Sequence, residues 1–195
     1  MRKDEILPLL ACGVGSDDPH LVPGDAALGT PSAVLVIIHY HGDEIERPRI
    51  FLTKRSAHLK THGGEISFPG GRFANTDASL LATALRETEE ETGLSFKAQQ
   101  VMGSLNPVRT MTSNHFIVPY VTVQGILPEH RIAPSEVEAV LDAPLIETLR
   151  TMRPDTEHYH LASDACCFTC DGNIIWGATA RIIQQLYDLL FIGKR

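Results

Sequence analysis

Residues 68–94 read FPGGRFANTDASLLATALRETEEETGL, a turn with paired glycines running into a helix whose last turns carry Glu87, Glu90 and Glu91. At roughly 100° per residue these three fall within an arc of about 100° and make one acidic face, while Glu89 points roughly 160° away from Glu87. Leu81, Ala84, Leu85 and Thr88 form the adjoining stripe expected to be buried. Asn75, Thr76 and Asp77 offer N-caps for a helix that runs to Thr92, and Gly93 closes it. Carboxylates stacked three and four residues apart repel one another. A divalent cation removes that repulsion, and oxygen-only ligands select a hard ion, Mg²⁺ or Mn²⁺, which keeps several waters and binds substrate phosphates. A solvated acidic face is the other reading of the same glutamates, and the surrounding sequence decides between them.

The chain has 195 residues, ordinary apolar content and a net charge of −7. That describes one domain spanning 1–195 and large enough to bury its own core. The acidic balance argues against nucleic-acid binding driven by phosphate neutralisation, so an anionic substrate needs local positive charge. The opening MRKDEILPLLACG is acidic after two basic residues and is broken by Pro8, a poor signal peptide. No stretch is apolar enough to span a membrane. Cys12, Cys166, Cys167 and Cys170 do not make a disulfide framework for a chain of this size, and a cytoplasmic location is expected. Cys167 and Cys170 form a CxxC near Cys166, His158 and His160. With no second CxxC and no βαβ context, buried or idle thiols are expected rather than a zinc or redox site.

Outward from the glutamates, residues 1–31 read as an N-terminal helix and a loop arm rich in glycine and proline. Residues 32–40, SAVLVIIHY, are a continuous apolar, β-branched run expected to form a central strand buried on both faces. His39, Tyr40 and His41 end it; histidines two apart on a strand can be ligands, but a strand end opening into a polar turn at 42–48 explains them. Residues 49–54 form a second strand pairing with the first. Arg55, Ser56, His58, Lys60 and His62 follow, the most basic patch of the chain, placed immediately before Gly63 and Gly64. The patch is either a solvated loop or a phosphate contact, and such loops are where binding residues concentrate. A strand at 65–68 then ends at Pro69, which lacks a donor, and Gly70 and Gly71 permit positive φ or close approach of backbone to ligand.

The stretch from Arg86 to Leu94, RETEEETGL, resembles the second half of the Nudix box, G-x5-E-x7-R-E-U-x-E-E-x-G-U with U apolar, apart from Thr88. In the first half Asp77 stands where the pattern has Glu, and one extra residue separates it from Arg86. The preceding LTKRSAHLKTHGGEISFPGG resembles the LLTxRSxxLRxHxGExxFPGG signature of the coenzyme A pyrophosphatase-like branch, with Phe51 for Leu and Lys60 for Arg. The resemblance implies the Nudix fold, an α/β (α+β) arrangement in which a mixed β-sheet lies between helices as an α/β/α sandwich. It implies a divalent-metal-dependent pyrophosphohydrolase cutting coenzyme A or acyl-coenzyme A to 3′,5′-ADP and 4′-phosphopantetheine or its acyl derivative. Glu87, Glu90 and Glu91 are then the Mg²⁺ or Mn²⁺ ligands, and Arg86 orients the carboxylates. Glu87, Glu91, Arg86 and Glu136 are the catalytic set, with Glu87 or Glu136 as base. Arg55, Ser56, Lys60, Gly64, Phe68, Pro69, Gly70 and Gly71 are placed on the substrate, and changing His58 or His62 is expected to alter affinity more than turnover. Hydrolysis of another nucleoside diphosphate derivative (ADP-ribose, NADH) or a nucleoside triphosphate is the alternative. A non-catalytic nucleotide sensor is a third reading, although such modules usually lose the carboxylates kept here. The partner is a small nucleotide, with no nucleic acid and no membrane; a homodimer is left open.

Downstream, strands are expected at 100–106 and 116–123, with Pro119 at a bulge or an edge. The segment 134–138, PSEVE, resembles the branch's PSEV and makes Glu136 a candidate fourth carboxylate, the alternative being an exposed acid at a strand start. The segment 173–180, NIIWGATA, resembles the IWGxTA ending, with Trp176 packing rather than stacking on ligand. It opens a last helix whose buried face is Ile182, Leu186, Leu189 and Leu190.

Overall fold

The structure, a computed structural model, describes residues 2–15, 29–41, 47–59, 61–110, 114–158 and 165–193. Lys60, His160, most of the loop arm and most of the turn at 42–48 lie outside the described residues. In chain order the elements are α1 (Lys3–Gly13), β1 (Thr30–Tyr40), β2 (Pro48–Arg55), β3 (Ile66–Ser67), β4 (Gly70–Arg72), α2 (Leu80–Thr92), β5 (Val101–Ser104), β6 (Val108–Arg109) and β7 (His115–Val123). There follow β8 (Val137–Pro144), α3 (Leu145–Arg150), β9 (Arg153–Pro154), β10 (Cys166–Cys170), β11 (Asn173–Ile175) and α4 (Gly177–Tyr187), which runs on into one wide π turn, Asp188–Ile192.

The apolar run of β1 is central because both of its faces are buried. Val36 and Ile38 join one core with Ile6 and Leu10 of α1, Leu145 and Leu149 of α3 and Ile182, Ile183 and Leu186 of α4. Ala33, Leu35 and Ile37 point the other way, into a second core with Leu80 and Ala84 of α2. The period-two alternation of a strand thus produces the expected sandwich, α2 on one side and the other helices opposite. The sheet is mixed. β1 runs antiparallel to β2, with Ile37 opposite Phe51, and parallel to β7, with Leu35 opposite Tyr120. Beyond β2, β8 pairs antiparallel with Leu141 opposite Leu52. The antiparallel strands β9, β10 and β11 form a separate small sheet.

Pro119 sits in neither an edge strand nor a bulge of β7. A strand residue turns its N–H and C=O to the same side. The Pro119 carbonyl accepts from Leu105 N at 2.8 Å, so its missing donor faces the break between β5 and β6. The cap of α2 also differs from expectation. Ser79, not residues 75–77, accepts from Ala82 N at 3.1 Å, and the helix begins at Leu80. Gly93 closes it at φ 72° as the sequence predicts. The buried stripe is rotated toward Leu80, Thr83, Ala84, Thr88 and Glu91, with Leu81 and Leu85 half-buried. Thr88 and Thr92 tolerate burial because each hydroxyl donates to the carbonyl one turn back, at 2.7 and 2.6 Å.

Cys166, Cys167 and Cys170 are buried and unpaired. Burial raises the Cys166 and Cys170 thiols to about 11, so neither supplies a ready thiolate. Trp176 stacks on His158 with ring centroids 3.8 Å apart, and His158 in turn holds Asp155 at 3.0 Å. No helix of the described residues is long and apolar enough to cross a membrane.

Candidate active site

The site is built where α2 faces the paired glycines. Gly70 has φ 151°, and a Cβ there would overlap the Ala33 carbonyl, so only glycine lets β4 lie this close to β1. That approach brings Gly70 N to Glu91 Oε2 at 3.2 Å. Gly71 leaves the space occupied by the Glu87 carboxylate, which a Cβ would strike. Residues 124–136 form a strap bringing the third acid. Gln124 N donates to the Ile38 carbonyl, Arg131 N to Thr92 and Ala133 N to Glu91, at 2.8, 2.9 and 2.9 Å. The strap delivers Glu136, whose own carbonyl accepts from Ser56 N at 2.8 Å.

Carboxylate oxygens of Glu87, Glu91 and Glu136 all lie within 4.8 Å of one another. Glu91 is 2 % exposed, and desolvation lifts its carboxyl to about 7; the Gly70 N–H and Arg55 oppose the rise, while Glu136 and Glu87 add to it. Burial also raises Glu87, partly offset by Arg86. Arg55 Nη1 stands 3.6 Å from Glu91 Oε1. An oxygen-only group, gathered by the backbone and crowded enough to retain protons, has the chemistry a hard dication fits.

Arg86 organises the exposed flank. Its Nε and Nη2 reach Asp77 Oδ1 and Oδ2 at 2.8 and 2.9 Å, and Nη1 lies 2.9 Å from both Glu87 Oε1 and Glu90 Oε2. Asp77, whose side chain is 5 % exposed, also accepts from Thr83 Oγ1 at 2.8 Å and Ala74 N at 3.0 Å. This is the role the sequence did not give Asp77. The two residues lie nine apart across a loop and a helix start, so no helical spacing could pair them.

The predicted residues therefore divide. Glu87, Glu91, Glu136, Arg55, Ser56, Gly70 and Gly71 come together, whereas Glu90 is exposed on Arg86 and Lys60 lies outside the described residues. Phe68 is buried in the core and the Pro69 carbonyl accepts from Leu35 N at 2.9 Å. Gly64, at φ 79°, donates to the Arg55 carbonyl at 3.0 Å. His62 is tied to Glu65 at 3.0 Å. Unforeseen nearby is His115, whose Nδ1 meets Ser32 Oγ at 2.7 Å; no sequence spacing joins residues 83 apart.

The pattern of the NUDIX domain matches residues 29–160, well over half of the chain. The chain belongs to the Nudix family. Over 146 residues it is 37 % identical to the uncharacterized Nudix hydrolase NudL of Escherichia coli strain HS, covering 72 % of this chain and 74 % of that one. The same figures hold for NudL of Shigella boydii serotype 18. The fold resembles that of a MutT/nudix family protein from Enterococcus faecalis, at TM-score 0.59 and 14 % identity; the match covers 81 % of this chain but only 60 % of that chain. A NUDIX hydrolase from Alicyclobacillus acidocaldarius matches at TM-score 0.54 and 16 % identity, over 83 % of this chain and 90 % of the other. The NUDIX domain of Shewanella oneidensis NrtR, solved with ADP ribose, matches at 0.51 and 22 %, over 77 % and 88 %. The protein is thus a Nudix pyrophosphohydrolase, a family that works with divalent metal ions, and its three gathered glutamates form a candidate metal site.

One consequence for this Nudix hydrolase concerns Gly71. Because the atoms a Cβ would meet are the free end of Glu87, Gly71→Ala is expected to keep the fold and displace that carboxylate. The metal concentration for half-maximal activity should rise about tenfold or more, as for a disturbed ligand shell, with melting temperature nearly unchanged. An unaltered metal titration would show that Glu87 does not contribute to metal binding.

Proposed function

We propose that this Nudix hydrolase cleaves the pyrophosphate of coenzyme A or an acyl-coenzyme A, giving 3′,5′-ADP and 4′-phosphopantetheine or its acyl derivative. One observation carries the reading. The segment resembling the coenzyme A branch is the one that meets the acids: Arg55 stands on Glu91, Ser56 binds the Glu136 carbonyl, and Gly70 binds Glu91. In this reading Glu87 and Glu91 hold the ion, with Glu90 beside them and Glu136 facing the site as the base. When bound, Mg²⁺ or Mn²⁺ lowers the pKa of a water and offsets charge on the phosphoryl oxygens. Arg86 fixes Glu87, and Arg55 and Lys60 meet the substrate phosphates. The oxygen of a water bonds to one phosphorus as the bridging P–O bond breaks. Glu136 takes the water's proton, since it is exposed while Glu87 is already engaged by Arg86. The four unpaired cysteines suit a reducing cytoplasm.

The test is a hydrolysis screen with Mg²⁺ or Mn²⁺ over coenzyme A, acyl-coenzyme A, ADP-ribose, NADH and nucleoside triphosphates, with products identified by mass. Formation of 3′,5′-ADP is expected. Intact coenzyme A beside cleaved ADP-ribose or triphosphate would reassign the substrate. Binding without turnover under every metal would replace hydrolysis with sensing.

A further inference from the structure

Among the described residues a second group of metal-ligating side chains lies on the same sheet. From Val34, where β1 meets Gly70, to His39 the strand runs about 17 Å. His39, near the end of β1, and His41, just past it, are two apart and both reach Asp142 on β8. His39 Nε2 is 2.8 Å from Asp142 Oδ1, and His41 Nε2 is 3.0 Å from Oδ2. These ligand atoms all lie within 4.8 Å of one another. The group borders a cavity of about 90 Å³ lined also by Phe51, Leu127, Pro128 and His130.

The donors differ in kind from those of the glutamate site. Two imidazole nitrogens and one carboxylate oxygen suit a borderline ion of the zinc type, while Mg²⁺ prefers oxygen alone. His39 is 3 % exposed and held on a strand buried on both faces, so its ring is positioned before any ion arrives. His41, 61 % exposed in its side chain, and Asp142 leave the group open toward solvent. Arg49 Nε holds Asp142 Oδ2 at 2.9 Å, and Arg49 Nη2 donates to the Asp142 backbone carbonyl. Such a partner orients a ligating carboxylate from outside. Burial pushes the Asp142 carboxyl up, but hydrogen bonds from His39 and Arg49 outweigh it and keep the group well below the usual carboxylate range. The positive charge of Arg49 also limits how tightly a dication can bind.

We infer that His39, His41 and Asp142 bind a zinc-type transition-metal dication, with the remaining coordination open to the adjoining cavity. Without the ion, each Nε2 faces an Asp142 oxygen at hydrogen-bond distance; metal binding uses the Nε2 lone pairs, with a ring proton carried on Nδ1. The inference does not depend on the substrate proposed above.

The test titrates the full-length protein with Co²⁺, in excess Mg²⁺ to fill the glutamate site, following visible d–d absorption and then displacement by Zn²⁺. One equivalent is expected to bind. His41→Ala and Asp142→Asn should each weaken binding at least about tenfold, with circular dichroism and hydrolytic activity retained in His41→Ala. Glu91→Gln should titrate like wild type. Absence of a Co²⁺ signal, its loss in excess Mg²⁺ or in Glu91→Gln, or an unchanged titration in His41→Ala would each overturn the assignment.

Discussion

Glu91→Gln is expected to lower turnover on the order of a thousandfold while making the metal-free protein more stable above pH 7. The two effects share one cause. Glu91 is buried beside Glu87 and Glu136, and its carboxyl rises from about 4.5 to about 7. The native state therefore keeps a proton that the unfolded chain has released, and stability falls as pH rises from about 4.5 through about 7. A shift of that size corresponds to about 3 kcal/mol. Glutamine has nearly the same shape and carries no charge, so the variant escapes that loss but cannot serve as an anionic ligand. Turnover with saturating Mg²⁺, and melting with a chelator at pH 5 and pH 8, measure the two halves. Wild type should melt lower at pH 8 than at pH 5, and Mg²⁺ should restore it. A variant that remains nearly as active as wild type would remove Glu91 from the proposed metal site. Equal melting of both proteins at pH 8 would mean that its charge carries no folding cost.

Asp77→Ala should destabilise the protein by about 2 kcal/mol, as expected when hydrogen bonds to a charged group in a part-buried ion pair are removed. Asp77 takes both donors of an Arg86 fork, a hydroxyl and a backbone N–H, with its side chain 5 % exposed. The Arg86 hydrogen bond, opposed by burial and helped by Ala74 and Thr83, holds its carboxyl well below the usual carboxylate range. The folded pKa lies below the unfolded one, so this stabilisation is present above about pH 4 and is lost as pH falls. Urea unfolding at pH 7 and pH 3 should therefore show a large difference between wild type and variant at pH 7 and a moderately reduced one at pH 3, where the unfolded carboxyl is largely protonated but the folded one is still ionised. Activity should fall as well, because Arg86 loses the anchor from which it holds Glu87. Stability matching wild type at pH 7 would leave the fork with no structural role. The signs of the Asp77 and Glu91 effects are opposite, so on these two groups the metal-free protein should be most stable between about pH 4 and 5.

Periodicity made the frame legible. An unbroken apolar run predicts a strand buried on both sides, and β1 feeds both cores. The same arithmetic correctly separated Glu89, which is exposed, from Glu87 and Glu91. Glu136 was legible only through a family motif, since it reaches the other acids by a strap whose path depends on backbone pairing. Partners distant in sequence were not legible: Asp142 lies 103 residues from His39, and no local pattern registers that. Nor was the degree to which Glu91 is buried, because helical phase gives a direction and not what covers it. The true cap of α2 was missed because several cap-forming residues stand in succession and only tertiary packing selects Ser79.

The strap has a consequence for which changes of chain length the protein tolerates. Its hydrogen bonds to Thr92 and Glu91 come at Arg131 and Ala133, and Ser56 fixes the Glu136 carbonyl three residues later. Residues 125–130 precede these pins, so lengthening there would reshape the cavity beside His39 and leave Glu136 in register. One residue added between Ala133 and Glu136 would instead turn the acid away from its neighbours. Two short neighbouring segments thus face opposite constraints: the first has freedom to vary in length, and the second is confined to a fixed count.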